Sequence, residues 1–107
     1  MRNFRVLLVE DDEVDARQIT SVLKSKADNQ ISVTHVTSLK AATSCLKDNI
    51  DQYDVLLTDM HLEDSRGLKT VRKIRKGAKN RPIIVFSSLN SEELAIEAVA
   101  EGAQDYV

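Results

Sequence analysis

Two groups of carboxylates in this chain have the residue types and spacing for chemistry on phosphorus. Glu10-Asp11-Asp12 directly follow the apolar run Phe4-Arg5-Val6-Leu7-Leu8-Val9, and Asp59 closes a second run, Asp54-Val55-Leu56-Leu57-Thr58-Asp59. If the two runs are neighbouring strands, their tips bring Glu10, Asp11 and Asp59 into one crevice. Carboxylates about 4 Å apart repel by roughly 4 kcal/mol per pair at an effective dielectric near 20. Such a group therefore takes up protons or attracts a cation. Mg2+ (or Mn2+) suits it, since Mg2+ is usually held by one or two carboxylates, several waters and phosphate oxygens. With the charge balanced, a carboxylate can attack phosphorus and form an aspartyl phosphate. Asp59 is the expected nucleophile, because it ends the run expected to be buried on both faces. Ser87 and Ser88, which follow Pro82-Ile83-Ile84-Val85-Phe86, offer hydroxyls to a phosphoryl oxygen.

These side chains need a scaffold, and the apolar periodicity supplies one. Strands are expected over 4–9, 31–36, 54–59, 82–86 and 104–107. Between them, helices are expected over 12–26 (Ala16, Ile19, Val22, Leu23), from the cap Ser38 to near Asn49 (Leu39, Ala42, Cys45, Leu46), from Leu68 through Val71 and Ile74 to a break at 77–81, and from Ser91 to Gly102. Strands that alternate with helices make parallel βαβ units with right-handed crossovers. The run Ile31-Ser32-Val33-Thr34-His35-Val36 alternates apolar and polar residues, which suits an edge. The expected order is therefore 2-1-3-4-5, a doubly wound parallel sheet with its switch point between strands 1 and 3. An acidic loop after strand 1 argues against flavin or dinucleotide binding, which needs backbone donors facing the anion there.

A length of 107 residues allows one domain. The formal net charge of −2 and a pI near 5.6 give no general attraction to nucleic acid or to anionic membrane. No run is long enough to span a bilayer, no signal-peptide pattern opens the chain, and Cys45 is the single cysteine, so a cytoplasmic protein is expected. Arg72, Lys73, Arg75 and Lys76 on the third helix read as solvated surface. His35 reads as an exposed strand residue and His61 as a solvated loop residue.

At these residues the chain resembles the receiver domain of bacterial response regulators, over essentially its whole length. Val6-Leu7-Leu8-Val9-Glu10-Asp11-Asp12 is similar to the family's first strand and acidic pair, and Leu62-Glu63-Asp64-Ser65-Arg66-Gly67 to its L-P-D-x-x-G loop, with Glu63 in place of the proline. Ser87-Ser88 match the family's Thr/Ser and the small residue after it, and Gly102-Ala103-Gln104-Asp105-Tyr106-Val107 resembles its G-A-x-D-Y-[LV] signature. The resemblance implies a flavodoxin-like, CheY-like α/β fold. It implies Asp59 as phosphoacceptor, Asp11 as a direct ligand of Mg2+, Glu10 acting through water, the His61 backbone carbonyl as a further ligand, Ser87 and Ser88 at the phosphoryl group, and Tyr106 as a rotameric switch. The implied donor is a sensor histidine kinase or phosphotransfer protein, with an output domain or downstream protein as receiver of the signal. The resemblance further implies a switch that assists its own phosphorylation and dephosphorylation, and not an enzyme acting on a separate substrate.

The family's lysine lies three residues beyond the aromatic, and the sequence stops one residue after Tyr106. A receiver domain over 1–107, incomplete at its C-terminus and without its last helix, is therefore expected, with a homodimer where the sheet is left uncovered. Two alternatives stay open: a pseudo-receiver that only docks, and a Mg2+ phosphatase with an aspartyl nucleophile, whose second acid would fall at the position of His61.

Overall fold

The computed structural model describes residues 3–26, 30–86 and 105–106, the last pair as backbone only. The elements in chain order are β1 (Phe4–Val9), α1 (Glu13–Lys26), β2 (Ile31–Val36), α2 (Leu39–Asn49), a 3-10 turn (Ile50–Gln52), β3 (Val55–Asp59), β4 (His61–Leu62), β5 (Ser65–Arg66), α3 (Leu68–Ala78), β6 (Ile83–Phe86) and β7 (Asp105–Tyr106). Five strands form one parallel sheet in the order β2-β1-β3-β6-β7, which is the expected order once β4 and β5 are set aside as a separate hairpin. The pairings of Val9 with Thr58 and of Asp59 with Phe86 bring the exit ends of β1, β3 and β6 level. Strand order reverses between β1 and β3.

Right-handed crossovers in opposite directions from β1 put α1 on one face of the sheet and α2 and α3 on the other. The main core lies on the second face. There Leu7, Val9, Leu56, Ile83 and Val85 meet Leu39, Ala42 and Leu46 of α2 and Val71, Ile74 and Ala78 of α3. Alternation along a strand places Val6 and Leu8 on the α1 face.

Two expectations need correction. β3 is buried at Leu56 and Thr58 and only half-buried at Val55, Leu57 and Asp59, so it is not buried on both faces. Among the described elements α1 alone covers that side, and β1, with Val6 through Val9 all buried, is the deeper strand. Gly77 lies inside α3 and does not break it. A Cβ there would come within 3.3 Å of Leu46, so its absence is what lets α2 and α3 pack so closely. The helix ends one residue later at Ala78, and the following Lys79 adopts φ of 54°. The expected helix over 91–102, with Ser87 and Ser88, lies outside the described residues.

Candidate functional site

The exit ends of β1 and β3 gather the three carboxylates singled out in the sequence. One oxygen each from Glu10, Asp11 and Asp59 lies within 4.8 Å of the others. Glu10 is 2% exposed, while Asp11 and Asp59 are half-buried. Among the described residues no lysine or arginine pairs with any of them. Burial pushes the Glu10 carboxyl up to about 8; the Asp12 N–H donated to its Oε1 at 3.1 Å opposes this, and neighbouring Asp11 and Asp59 add to it. An acidic group that holds a proton for want of a cation has the donor type, charge and spacing that a small divalent ion satisfies.

The chain immediately after Asp59 is held by a compact set of bonds. His61 N–H donates to Asp59 Oδ1 at 3.1 Å, which orients that carboxylate. The Met60 carbonyl accepts from Gly67 N–H at 3.1 Å and from the Thr70 hydroxyl at 3.0 Å. With the Thr70 proton used there, the buried Ser65 hydroxyl donates to Thr70 Oγ1 at 2.8 Å. Gly67 takes φ of 70° and ψ of −152°, a region costly for any side chain, although a Cβ there would meet nothing within 4 Å. At the tip of the hairpin, Asp64 accepts from Leu39 N–H at 2.8 Å and Lys40 N–H at 2.9 Å. Ser38 Oγ takes Ala41 N–H at 3.0 Å, so these two residues satisfy three of the donors that a helix N-terminus leaves open. Burial pushes the Asp64 carboxyl up, but those backbone donors and the charge of Lys73 outweigh it and hold it below its ordinary value.

The family model for the response regulator receiver domain matches residues 6–107. This chain belongs to that family. A curated relative, the cell cycle transcriptional regulator CtrA of Caulobacter vibrioides, is 34% identical over 103 residues, covering 96% of this chain and 42% of the relative. The receiver thus spans less than half the length of the relatives it matches. Among solved structures, the Francisella response regulator 1452 receiver domain is 31% identical with a TM-score of 0.76, covering 98% of this chain and 83% of that one. A chain of the CheX-CheY-BeF3-Mg2+ complex from Borrelia burgdorferi, 21% identical, superposes with a TM-score of 0.88 over 99% of this receiver and 78% of that chain. The receiver has the CheY-like α/β architecture expected from its sequence.

Of the expected site residues, Glu10, Asp11 and Asp59 come together and His61 lies beside them. His61 is not a solvated loop residue. It is half-buried, and its Nδ1 accepts from Gly67 N–H at 3.3 Å, which leaves the proton on Nε2, a buried atom with no partner. Ser87 and Ser88 lie outside the described residues, as does the side chain of Tyr106. No pattern in the sequence pairs Ser65 with Thr70, hydroxyls among ordinary loop and helix residues, or marks Asp64 as a cap for a helix 25 positions earlier. No helix among the described residues is long and apolar enough to cross a membrane.

Proposed function

We propose that this receiver is a phosphorylation-dependent switch in a two-component relay, with Asp59 taking a phosphoryl group from the phosphohistidine of a sensor kinase or phosphotransfer protein. The observation that carries this reading is the gathering of the Glu10, Asp11 and Asp59 carboxylates within 4.8 Å at the switch point of the sheet. In the transfer an Asp59 oxygen bonds to phosphorus as the donor's P–N bond breaks, and the imidazole leaves with the electron pair. The His61 N–H bond to Oδ1 fixes one Asp59 oxygen and so aims the other. Asp11, Asp59 and the His61 backbone carbonyl would hold Mg2+ or Mn2+, with Glu10 acting through water. Such an ion, when bound, supplies the positive charge that the crowded oxygens lack.

On this reading Ser87 and Ser88 donate to the phosphoryl oxygens and Tyr106 moves into the space that Ser87 vacates. The added charge of roughly −1.5 to −2 biases a two-state surface read by an output domain or downstream protein. Residues 1–107 act as a receiver and turn over no separate substrate.

The test is phosphorylation by a phosphohistidine donor or acetyl phosphate. The wild-type chain should be labelled with Mg2+ present and unlabelled in EDTA, and Asp59→Asn should abolish the label. Label that survives in Asp59→Asn identifies another acceptor and overturns the assignment.

A further inference from the structure

The edge strand holds the backbone of Glu10 on both sides of its Cα. In the preceding peptide the Glu10 N–H donates to the Val36 carbonyl at 3.0 Å, continuing the β1–β2 ladder past its last pair. The Glu10 carbonyl lies 2.7 Å from His35 Nε2. A carbonyl only accepts, so Nε2 carries the proton and donates. This bond sets the plane of the peptide from which the Asp11 backbone and side chain depart. His35 is on the α1 face of β2, where it borders a groove of about 440 Å3 lined by Glu13, Ala16, Arg17 and Val33. The ring is exposed and bordered by open space, so packing does not explain it.

We propose that His35 is a positioning residue for the divalent-ion site, its Nε2–H holding the Glu10–Asp11 peptide so that both carboxylates face Asp59. This rests on the divalent-ion reading above. Groups that orient metal ligands without touching the ion typically change affinity by about 10–100-fold when removed. At an exposed position with one bond the lower end applies.

The experiment measures Mn2+ affinity in the full chain by electron paramagnetic resonance, with metal-free thermal unfolding on the same samples. His35→Ala should weaken Mn2+ binding roughly tenfold with little change in metal-free Tm. His35→Phe, which keeps a ring and loses the donor, should weaken it equally. His35→Gln, whose amide reaches the same carbonyl, should restore affinity to within about threefold of wild type. Wild-type affinity in both His35→Ala and His35→Phe overturns the role of His35 and leaves the ion site intact, as does failure of His35→Gln to recover. Absence of Mn2+ binding in the wild type, or binding unchanged in Asp59→Asn and Asp11→Asn, overturns the ion site and the role of His35 with it.

Discussion

At the entry end of the sheet, Asp54 receives the Arg5 backbone N–H at 2.9 Å and the Arg5 guanidinium at 3.2 and 3.3 Å, while Asp54 N–H returns a bond to the Arg5 carbonyl at 2.8 Å. Nearby, Arg81 donates to the Tyr53 carbonyl at 2.7 Å and reaches Asp51 at 3.4 Å. At the exit end of the same strands, three carboxylates share a crevice and no described cation answers them. The two ends are built from the same strands, β1 and β3, so sheet geometry does not account for the contrast. Charges at the entry end are matched and fasten β1 to β3. Charges at the exit end are left unmatched, at a cost in stability that a ligand can repay, which is a pattern characteristic of sites.

The largest way to break this contrast is at Glu10. Its folded carboxyl titrates near 8, against an ordinary value of 4.5, because of burial first and acidic neighbours second. Between those two values the folded chain holds a proton that the unfolded chain has released. Metal-free stability from this group is therefore greatest below about 4.5, falls as pH rises, and is fully lost above about 8. Glu10→Gln never ionises and escapes the decline. In EDTA its advantage over wild type should grow from near zero at pH 4.5 to about 2 kcal/mol at pH 8, about half the full linkage value because the half-buried crevice still admits water that screens the charge, and this is roughly 10 °C in Tm for a domain of ~100 residues. Mg2+ should raise the wild-type Tm more at pH 8 than at pH 5, since binding the ion expels the proton. A pH-independent difference between the two proteins would mean that Glu10 is already compensated and that the two ends are alike.

A smaller effect is expected behind the site. Thr70→Val keeps the shape of the side chain and removes a hydroxyl that donates to the Met60 carbonyl and accepts from Ser65. Met60 keeps its bond from Gly67 N–H, but the buried Ser65 hydroxyl loses its acceptor, which should cost about 1–2 kcal/mol by urea unfolding. Adding Ser65→Ala should recover part of that loss, because no buried hydroxyl is then left unpaired. If the double variant is no more stable than Thr70→Val, the two hydroxyls do not act as a unit.

The acids were legible from the sequence because strand tips in a parallel sheet are predictable: an apolar run that ends on a carboxylate places that carboxylate outside the sheet's exit edge. Glu10, Asp11 and Asp59 follow from that alone, and β1, β2 and α2 match their expected bounds because their periodicity is uninterrupted. The supports were not legible. Asp64 and Leu39, Ser65 and Thr70, and His35 and Glu10 are joined by tertiary geometry, and each partner alone is an ordinary polar residue. His61 departs from its expected solvated setting for a related reason. Loops are usually solvated, but the two-residue turn between β4 and β5 folds this one back so that Gly67 N–H covers the ring. Gly77 read as a break because intrinsic propensity disfavours glycine in helices; close approach to Leu46 overrides that preference.

The entry end should respond least. Arg5→Met removes the guanidinium, whose side chain is 43% exposed, and leaves the Arg5 backbone N–H on Asp54. An exposed ion pair gains little from Coulomb attraction in water and loses side-chain entropy in forming, so Tm should fall by about 3 °C at most, and by less in high salt, where such pairs are screened. Asp54→Ala should cost more than Arg5→Met, because it takes away the acceptor for the Arg5 backbone N–H as well as the partner of the guanidinium, while the backbone bond from Asp54 N–H to the Arg5 carbonyl remains. If Arg5→Met instead destabilised the chain as much as Glu10→Gln stabilises it, the entry-end charges would be worth as much matched as the exit-end charges cost unmatched. The asymmetry between the ends would then lie in sign alone, and burial, which separates Glu10 at 2% exposure from Arg5, would not be its cause.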